Sequence, residues 1–289
     1  MKLLLDHVSK KYGNKYALKD LNIEFSDGVY GILGANGAGK TTLISIITGI
    51  LQQTSGQVKL DGSDIKDMGT KYLDKIGYLP QYPQFYPNFR VKEFLMYMCS
   101  IKDIPQKKAK EILPEIMEEV NLCDHMNKKI KEFSTGMKAK LRVLTAMTHH
   151  AKLLIMDEPT AGLDVEARNE ILDMLRAYIA EDESRSILIT SHISTDLESL
   201  CDELYLIHDG KLILHEATDA ILEQYGILKV SEEQYRTLDQ SSILKVQKEN
   251  YGYACFTNDK KFYQENYPQI AVENGGIDEL ILMMTGGYR

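Results

Sequence analysis

The stretch VYGILGANGAGKTTLISIITGI, residues 29 to 50, decides the fold of this chain. It begins with the apolar run Val29 to Leu33, continues into a glycine-rich loop, and ends in an apolar stripe with helical spacing. The loop matches the P-loop pattern G-x-x-x-x-G-K-[ST]. Its glycines let the backbone turn sharply and bring NH groups against a phosphate without an intervening side chain. We therefore predict a strand, a phosphate-binding loop and a helix, in an α/β fold.

The residues of this loop predict the parts of a nucleotide site. The Lys40 ammonium group is expected to lie on the β and γ phosphates as a point charge. The Thr41 hydroxyl is suited to bind Mg²⁺. The helix that follows directs unpaired NH donors and the positive end of its dipole at the same anion. The predicted nucleotide contacts are Gly34, Ala35, Asn36, Gly37, Ala38, Gly39, Lys40, Thr41 and Thr42.

A second apolar run, AKLLIMDEPT at residues 151 to 160, places two carboxylates at the end of a predicted strand. Open α/β sheets bind their ligands at the carboxyl ends of their strands. Adjacent side chains project in different directions, so Asp157 can hold Mg²⁺ while Glu158 polarises an attacking water. The alternative is a charged strand end in a turn before Pro159. Alongside the P-loop, the catalytic interpretation is favoured, and the two segments predict a nucleoside triphosphatase.

Three further segments follow in a characteristic order. KIGYLPQYPQFYPNFRVKEFL contains Gln81 at the end of a predicted strand, AGLD contains Asp164, and SILITSHIS contains His192. This order resembles the ATPase subunit of an ABC transporter, over residues 1 to about 225. The resemblance implies an ATP and Mg²⁺ site in which Gln81 contacts Mg²⁺ and water, and in which His192 contacts the γ-phosphate. It assigns Asp164 to the D-loop.

The same resemblance assigns a role to Tyr12, which precedes the strand-like LKDLNIEF. In the family an aromatic ring at this place stacks on the adenine base. Packing of the ring on the sheet is the alternative.

The segment KEFSTGMKAK, residues 131 to 140, stands where the family has its signature loop. The usual form is close to LSGGQ, so Ser134 and Gly136 fit, whereas Thr135 and Met137 depart from it. A γ-phosphate needs a hydroxyl, backbone NH groups and a helix N-terminus, and Thr135 leaves these in place. The loop is therefore predicted to be altered but usable. Its sequence also resembles the exporter branch that serves antibiotic-peptide and lantibiotic resistance.

The resemblance implies partners. One chain has one P-loop and one signature, so a complete site needs a dimer, in which Ser134 and Gly136 of one subunit meet the nucleotide of the other. Both a homodimer and a heterodimer are compatible with the sequence. A separate transmembrane permease subunit is implied near Gln81. The aromatic residues that follow, at positions 82 to 89, either receive that partner or pack in the core.

The expected fold class is α/β, a P-loop NTPase of ABC type. It has a RecA-like core, an antiparallel β subdomain from the first sixty residues, and a helical subdomain at about 82–149. Pro114 predicts a kink or break in a helix there, and Asp209-Gly210 predicts a hairpin. The ATPase domain is expected over 1–226. Residues 227–289 predict an α+β appendage of two helices and three or four strands, with a role in regulation or dimer contact.

The composition and charge of the chain argue against a nucleic-acid partner and against a membrane-spanning helix. The net charge is −8, so the basic footprint that binds nucleic acid phosphates is missing and no nucleic-acid partner is expected. No apolar run reaches the roughly 18 to 20 residues of a membrane-spanning helix. We expect a cytoplasmic protein, peripheral on the inner face of the membrane, with membrane contact through its partner only. The alternatives to a transporter ATPase are a slow nucleotide switch and a nontransporting ABC ATPase.

Overall fold

The computed structural model describes residues 1–81 and 86–285. Its strands are β1 (Leu3–Tyr12), β2 (Lys15–Phe25), β3 (Gly28–Leu33), β4 (Ser55–Leu60), β5 (Ser63–Asp64), β6 (Ile76–Leu79), β7 (Leu153–Asp157), β8 (Ser186–Thr190), β9 (Glu203–His208), β10 (Lys211–Ala217), β11 (Gly226–Val230), β12 (Ile243–Glu249), β13 (Gly252–Thr257) and β14 (Ala271–Asn274).

Its helices are α1 (Lys40–Ile47), α2 (Ile65–Met68), α3 (Thr70–Leu73), α4 (Val91–Ile101), α5 (Gln106–Glu119), α6 (Thr135–Met147), α7 (Val165–Ala180), α8 (Ser194–Leu200), α9 (Thr218–Gln224), α10 (Glu232–Thr237), α11 (Lys260–Asn266) and α12 (Ile277–Thr285). Two short 3₁₀ turns, Cys123–His125 and Ile130–Glu132, lead into α6. In the described ranges, no helix is both long enough and apolar enough to cross a bilayer.

The central sheet has the strand order β10-β9-β3-β8-β7-β6. All neighbours in it are parallel except β9 and β10, which form the hairpin predicted at Asp209-Gly210. Strands β7 and β8 are buried along their whole length, as expected for parallel strands covered on both faces. Because the strands are parallel, the P-loop after β3, Asp157 at the end of β7 and Thr190 at the end of β8 lie along one edge. This architecture confirms the predicted fold class.

A second sheet, of order β2-β1-β4-β5, is antiparallel and comes from the first 64 residues. Its apolar side chains, among them Leu5, Phe25 and Val58, share a buried cluster with Ile44 of α1 and Ile155 of β7. The next strand in the chain, β3, belongs to the central sheet. The Asp27-Gly28 turn between β2 and β3 therefore joins two different sheets.

The helical segment has its own core, which includes Leu95 of α4, Leu113 of α5 and Leu141 of α6. Of the kink or break predicted at Pro114, the break was wrong, because α5 runs from Gln106 to Glu119 with this proline inside it. Pro114 is exposed, while Leu113 and Met117 are fully buried. Burial of that apolar face stabilises the helix more than one missing backbone hydrogen bond destabilises it.

The C-terminal segment forms a third sheet, with antiparallel order β12-β13-β11-β14. It carries three helices, and the sequence predicted two. The missed helix, α11, is only seven residues long, is capped by Asp259 and buries Tyr263. So short an element has no clear periodicity. The segment packs on the central sheet, since Phe256 and Ile277 belong to the same buried cluster as Ile189 of β8.

Candidate functional site

The P-loop begins and ends at positions that only glycine can occupy. Gly34 has φ +150°, and a Cβ atom there would lie 2.4 Å from the carbonyl oxygen of Ile207. Gly39 has φ +117°, and its Cβ would lie 2.7 Å from the carbonyl oxygen of Ala17. Backbone packing at both ends therefore sets the path of the loop, and α1 begins directly after Gly39.

Lys40, the first residue of α1, is 7% exposed. Its Nζ donates to the carbonyl oxygen of Gly34 at 2.5 Å and to that of Ala35 at 3.4 Å, so the ammonium group lies across the P-loop. Burial lowers the pKa of Lys40, while Glu158 and Asp157 oppose that shift. The site thus holds a partly desolvated cation close to two carboxylates, an arrangement that an anionic ligand would stabilise.

A pocket of about 160 Å³ collects most of the predicted site. Its lining residues are Ala17, Ala35, Asn36, Gly37, Gly39, Lys40, Thr41, Thr42, Gln81, Asp157 and Glu158. A larger groove of about 500 Å³ lies between α6, α7 and the residues Val120 and Asn121 that follow α5, but no predicted site residue lines it. The donor groups, and not the volume, therefore identify the small pocket as the candidate nucleotide site.

The two acidic residues at the end of β7 differ in geometry. Asp157 is 2% exposed, and its Oδ1 accepts a hydrogen bond from the Thr190 hydroxyl at 2.6 Å. Glu158 has φ +55°, which is rare for a residue with a side chain. Its NH donates to the Thr190 Oγ1 at 3.0 Å and to the Thr190 carbonyl oxygen at 3.2 Å. The chain thus turns sharply at Glu158, and the carboxylates of Asp157 and Glu158 occupy separate positions.

His192, in the segment that follows β8, contacts Glu158. Its Nδ1 lies 2.5 Å from Oε2 of Glu158, and its backbone NH donates to the same oxygen at 3.2 Å. The Glu158 side chain is 6% exposed, whereas that of His192 is 58% exposed. The imidazole can therefore hold the carboxylate with one nitrogen while much of the ring remains exposed to solvent.

The pocket also presents oxygen donors of the kind that Mg²⁺ prefers. The Thr41 hydroxyl, the Gln81 amide oxygen and an Asp157 carboxylate all belong to its lining. Within residues 1–81 and 86–285, no group of three or more His, Cys, Asp or Glu side chains is placed to hold a metal ion. This donor set fits an ion that is held by few protein groups and completed by phosphate oxygens and water.

Seven predicted nucleotide contacts do not line this pocket: Gly34 and Ala38 of the P-loop, His192 after β8, and four residues in other parts of the chain. Tyr12 is 52% exposed at the end of β1, with Lys10 Nζ 5.2 Å from its ring centroid. Ser134 caps α6, and its Oγ accepts from the Met137 NH at 3.2 Å.

The other two lie in the same part of the chain. Gly136 packs against α7, since a Cβ there would lie 3.0 Å from that of Ala167. Asp164 caps α7, and its Oδ1 accepts from the Ala167 NH at 2.9 Å. The structure thus places Ser134, Gly136 and Asp164 at the first turns of two neighbouring helices, outside the chain's own pocket.

Two residues of the site escaped the sequence analysis. Ala17 of β2 lines the pocket, and nothing in its sequence context distinguishes it. Thr190 contacts both acidic residues, and its place at the end of the strand SILIT does not by itself mark this role.

The fold and the site together define a P-loop nucleoside triphosphatase. A family model described as ABC transporter matches residues 18–161. The bacitracin transport ATP-binding protein BcrA of Bacillus licheniformis is 37% identical over 207 residues, covering 71% of this chain and 66% of BcrA. The linearmycin resistance ATP-binding protein LnrL of Bacillus subtilis (strain 168) is 35% identical over 212 residues, covering 73% of this chain and 68% of LnrL.

A third relative and two solved structures are also similar to this chain. The Nod factor export ATP-binding protein I of Burkholderia orbicola (strain AU 1054) is 32% identical, covering 75% of this chain and 71% of that protein. The structure of an ATP-binding subunit of an ABC transporter superposes with a TM-score of 0.69 at 26% identity, over 78% of this chain and 93% of the other.

The dimeric structure of MJ0796, a bacterial ABC transporter cassette, has a TM-score of 0.67 at 21% identity, over 75% of this chain and 98% of the other. The chain belongs to the ABC transporter family, as an ATP-binding subunit, and is an ATPase of that family. The predicted resemblance is thereby confirmed.

Proposed function

We propose that this chain powers a membrane exporter by closing as a dimer on ATP and opening after hydrolysis. The observation that carries the proposal is the contact between Glu158 and His192 beside a pocket that contains Lys40. One carboxylate is thereby held next to the position where the P-loop would hold a γ-phosphate. In this arrangement Glu158 is the general base for the attacking water, and His192 holds it in place.

Each group in the pocket then has a part in hydrolysis. Lys40 and the NH groups of the P-loop bind the β and γ phosphates. Thr41, Gln81 and Asp157 hold Mg²⁺, which neutralises charge on the phosphates when it is bound. The Glu158 carboxylate orients a water molecule and takes its proton as the water oxygen bonds to the γ-phosphorus and the bond to the β–γ bridging oxygen breaks. Catalysis is mostly positioning and charge stabilisation.

A second subunit completes the proposed site. Ser134 and Gly136 lie at the N-terminus of α6, which is 13 residues long and offers unpaired NH groups to an anion. They do not line their own chain's pocket, which supports a contact in trans. The related cassette MJ0796 is described as dimeric. Tyr12, at the exposed end of β1, is proposed to stack on adenine.

The export direction rests on the relatives. Their names concern bacitracin transport, linearmycin resistance and Nod factor export. We propose that this chain serves a permease that exports peptides or other amphipathic compounds, at the inner face of the membrane. An exposed aromatic group of Tyr86, Phe89 and Tyr97 supports permease docking close to Gln81. Tyr82, Pro83 and Phe85, which were also predicted to contribute, lie outside the described residues.

The domain boundaries are part of the proposal. We place the ATPase domain at 1–226, with the helical subdomain at about 82–149, and the accessory domain at 227–289. Helix α12 of the accessory segment contacts α8, because Asp278 accepts from the Ser194 hydroxyl at 2.9 Å and Glu198 accepts from the Ile277 NH at 3.2 Å. Since α8 follows His192 directly, this contact supports a regulatory role for the appendage.

The second candidate function is a slow nucleotide switch, and the departures Thr135 and Met137 favour it. Both residues occupy the first turn of α6, where the family has Gly and Gln. Steady-state phosphate release distinguishes the two functions, measured on the purified chain alone and with its proposed permease partner. A transporter ATPase releases phosphate, and Glu158→Gln traps an ATP-bound dimer. Absence of hydrolysis in both preparations would favour the switch.

A further inference from the structure

Thr190 is the last residue of β8 and is completely buried. In the parallel pairing of β7 with β8 it lies directly opposite Asp157. Its hydroxyl donates to Oδ1 of Asp157 at 2.6 Å and accepts from the NH of Glu158 at 3.0 Å. One hydroxyl group therefore uses both its donor and its acceptor capacity on two adjacent acidic residues.

These contacts matter most at Glu158, whose backbone has φ +55°. A residue with a side chain keeps this conformation only when its surroundings determine it. The Glu158 NH points into the buried end of the sheet, where the Thr190 hydroxyl and carbonyl oxygen are its two acceptors. Two residues further on, His192 binds the carboxylate of the same glutamate. The end of β8 thus holds both the backbone and the side chain of Glu158.

The contact with Asp157 has a separate consequence. This carboxylate is 2% exposed, so an oxygen without a hydrogen bond would be costly. The Thr190 hydroxyl satisfies Oδ1 and fixes the rotation of the carboxylate plane. Groups that orient a metal-binding carboxylate in this way affect metal affinity and activity even though they do not touch the metal.

We propose that Thr190 is a positioning residue for ATP hydrolysis, and that its hydroxyl sets the orientation of Asp157 toward Mg²⁺ and of Glu158 toward the attacking water. The inference rests on the roles proposed above for those two acidic residues. Thr190 itself is not among the residues that line the nucleotide pocket.

The test compares Thr190→Val, which keeps the shape and removes the hydroxyl, with Thr190→Ser, which keeps the hydroxyl and removes a methyl group. The assay is steady-state ATP hydrolysis, with kcat, KM for ATP and the Mg²⁺ concentration for half-maximal rate. We expect Thr190→Val to lower kcat about 10- to 100-fold and to raise the Mg²⁺ requirement, with KM for ATP within about 3-fold. Thr190→Ser should remain within about 3-fold in all three parameters.

A control for changes in packing comes from the same strand. Ile189→Val removes one buried methyl group next to Thr190 and should leave hydrolysis unchanged. If Thr190→Val does not fold, Thr190→Ala replaces it, because Thr190→Ser and Thr190→Ala both lack the methyl group and differ only in the hydroxyl. Equal activity of the hydroxyl-free variant and the wild type would overturn the proposal. So would a loss in Thr190→Ser as large as in Thr190→Val.

Glu158→Gln, assayed in parallel, separates this inference from the proposed function. Loss of turnover in Glu158→Gln together with full activity in Thr190→Val overturns only the role of Thr190. Full turnover in Glu158→Gln removes Glu158 as the base. In that case a raised Mg²⁺ requirement in Thr190→Val supports positioning of Asp157, and an unchanged one overturns the inference as well.

Discussion

Nδ1 of His192 lies 2.5 Å from Oε2 of Glu158, and the histidine side chain is 58% exposed, whereas that of the glutamate is 6% exposed. The pair joins the ends of two central strands, β7 and β8, at the edge where the P-loop also lies. The His192 ring and the His192 backbone NH both contact this carboxylate oxygen, and together they restrict its orientation. The role of His192 can therefore be tested by measuring the rate of ATP hydrolysis.

Replacement of His192 by alanine should lower kcat for ATP hydrolysis about 100-fold or more, because a freely rotating Glu158 loses its alignment with the water molecule. Binding of ATP should change little, since the P-loop is intact. Phosphate release and equilibrium nucleotide binding measure the two effects. His7→Ala is the matched control, because His7 also pairs with a carboxylate, that of Asp20 at 2.8 Å, but lies on an exposed surface. Wild-type turnover in the His192 variant would contradict the assignment.

Lys40→Ala should weaken ATP binding by more than about 10-fold and abolish nucleotide-dependent dimer formation, since it removes the cation that spans the P-loop. Isothermal titration and sedimentation with ATP measure both. Lys102→Ala is the control, because Lys102 is likewise partly buried and donates to two backbone carbonyl oxygens, those of Leu73 and Ile76. Burial lowers its pKa in the same way. Tight ATP binding by the Lys40 variant would show that the phosphates lie elsewhere.

Gly39→Ala should destabilise the fold and the loop together. Its Cβ would lie 2.7 Å from a backbone oxygen, and overpacking of this kind costs about 1–3 kcal/mol. Gly37→Ala provides the comparison, since Gly37 also has positive φ, +82°, but its Cβ would meet no atom of the described chain within 4 Å. Chemical denaturation should therefore show a larger loss for Gly39→Ala. Equal losses would mean that backbone strain, and not the contact with Ala17, sets the requirement.

Phe256→Ala tests how the C-terminal segment is attached. Phe256 is fully buried, stacks on Tyr225 at a centroid distance of 5.6 Å and belongs to the cluster on the central sheet. Its truncation should lower the free energy of unfolding by about 3–5 kcal/mol. Tyr251→Ala, at a residue that is 97% exposed, should stay within about 0.5 kcal/mol. A small effect at Phe256 would indicate that the segment folds apart from the ATPase body.

Local pattern was sufficient for the elements that carry the site. The strand before the P-loop and the strand ending at Asp157 have apolar runs with a glycine-rich or charged end, and the helix after the P-loop has an apolar stripe with helical spacing, so each could be recognised alone. Thr190 could not be assigned a role in this way. Its contacts depend on β8 lying between β3 and β7, which is a property of strand order, and nothing within ILIT specifies the neighbouring strand.

Other differences between the predicted and the observed structure also depend on tertiary packing. Packing outside the helix decided that α5 continues through Pro114, against its local preference. Ala17 enters the pocket only because the first sheet folds over the P-loop, as the close approach of Ala17 to Gly39 and Gly210 shows. The roles proposed for Ser134 and Asp164 require a second subunit, which one sequence does not contain.

His149 should make the stability of the protein depend on pH. Its Nε2 lies 2.8 Å from the carbonyl oxygen of Ile76, and Nδ1 is buried with no hydrogen-bond partner among residues 1–81 and 86–285. Burial lowers the pKa of His149 below its ordinary value of 6.5, and the charge of Lys102 adds to the effect while Asp74 opposes it. The neutral ring is therefore the form that the folded protein prefers.

A base with a lowered pKa in the folded state binds fewer protons there than in the unfolded chain. The stabilising effect is fully present above pH 6.5 and is lost as the pH falls below it, by at most about 1.4 kcal/mol per pH unit for one group. His149→Gln keeps a donor for the Ile76 carbonyl oxygen and does not titrate. Denaturation at pH 7.5 and pH 5.5 should show a smaller loss of stability for this variant than for the wild type. Identical losses would mean that His149 titrates in the folded protein as it does in the unfolded chain.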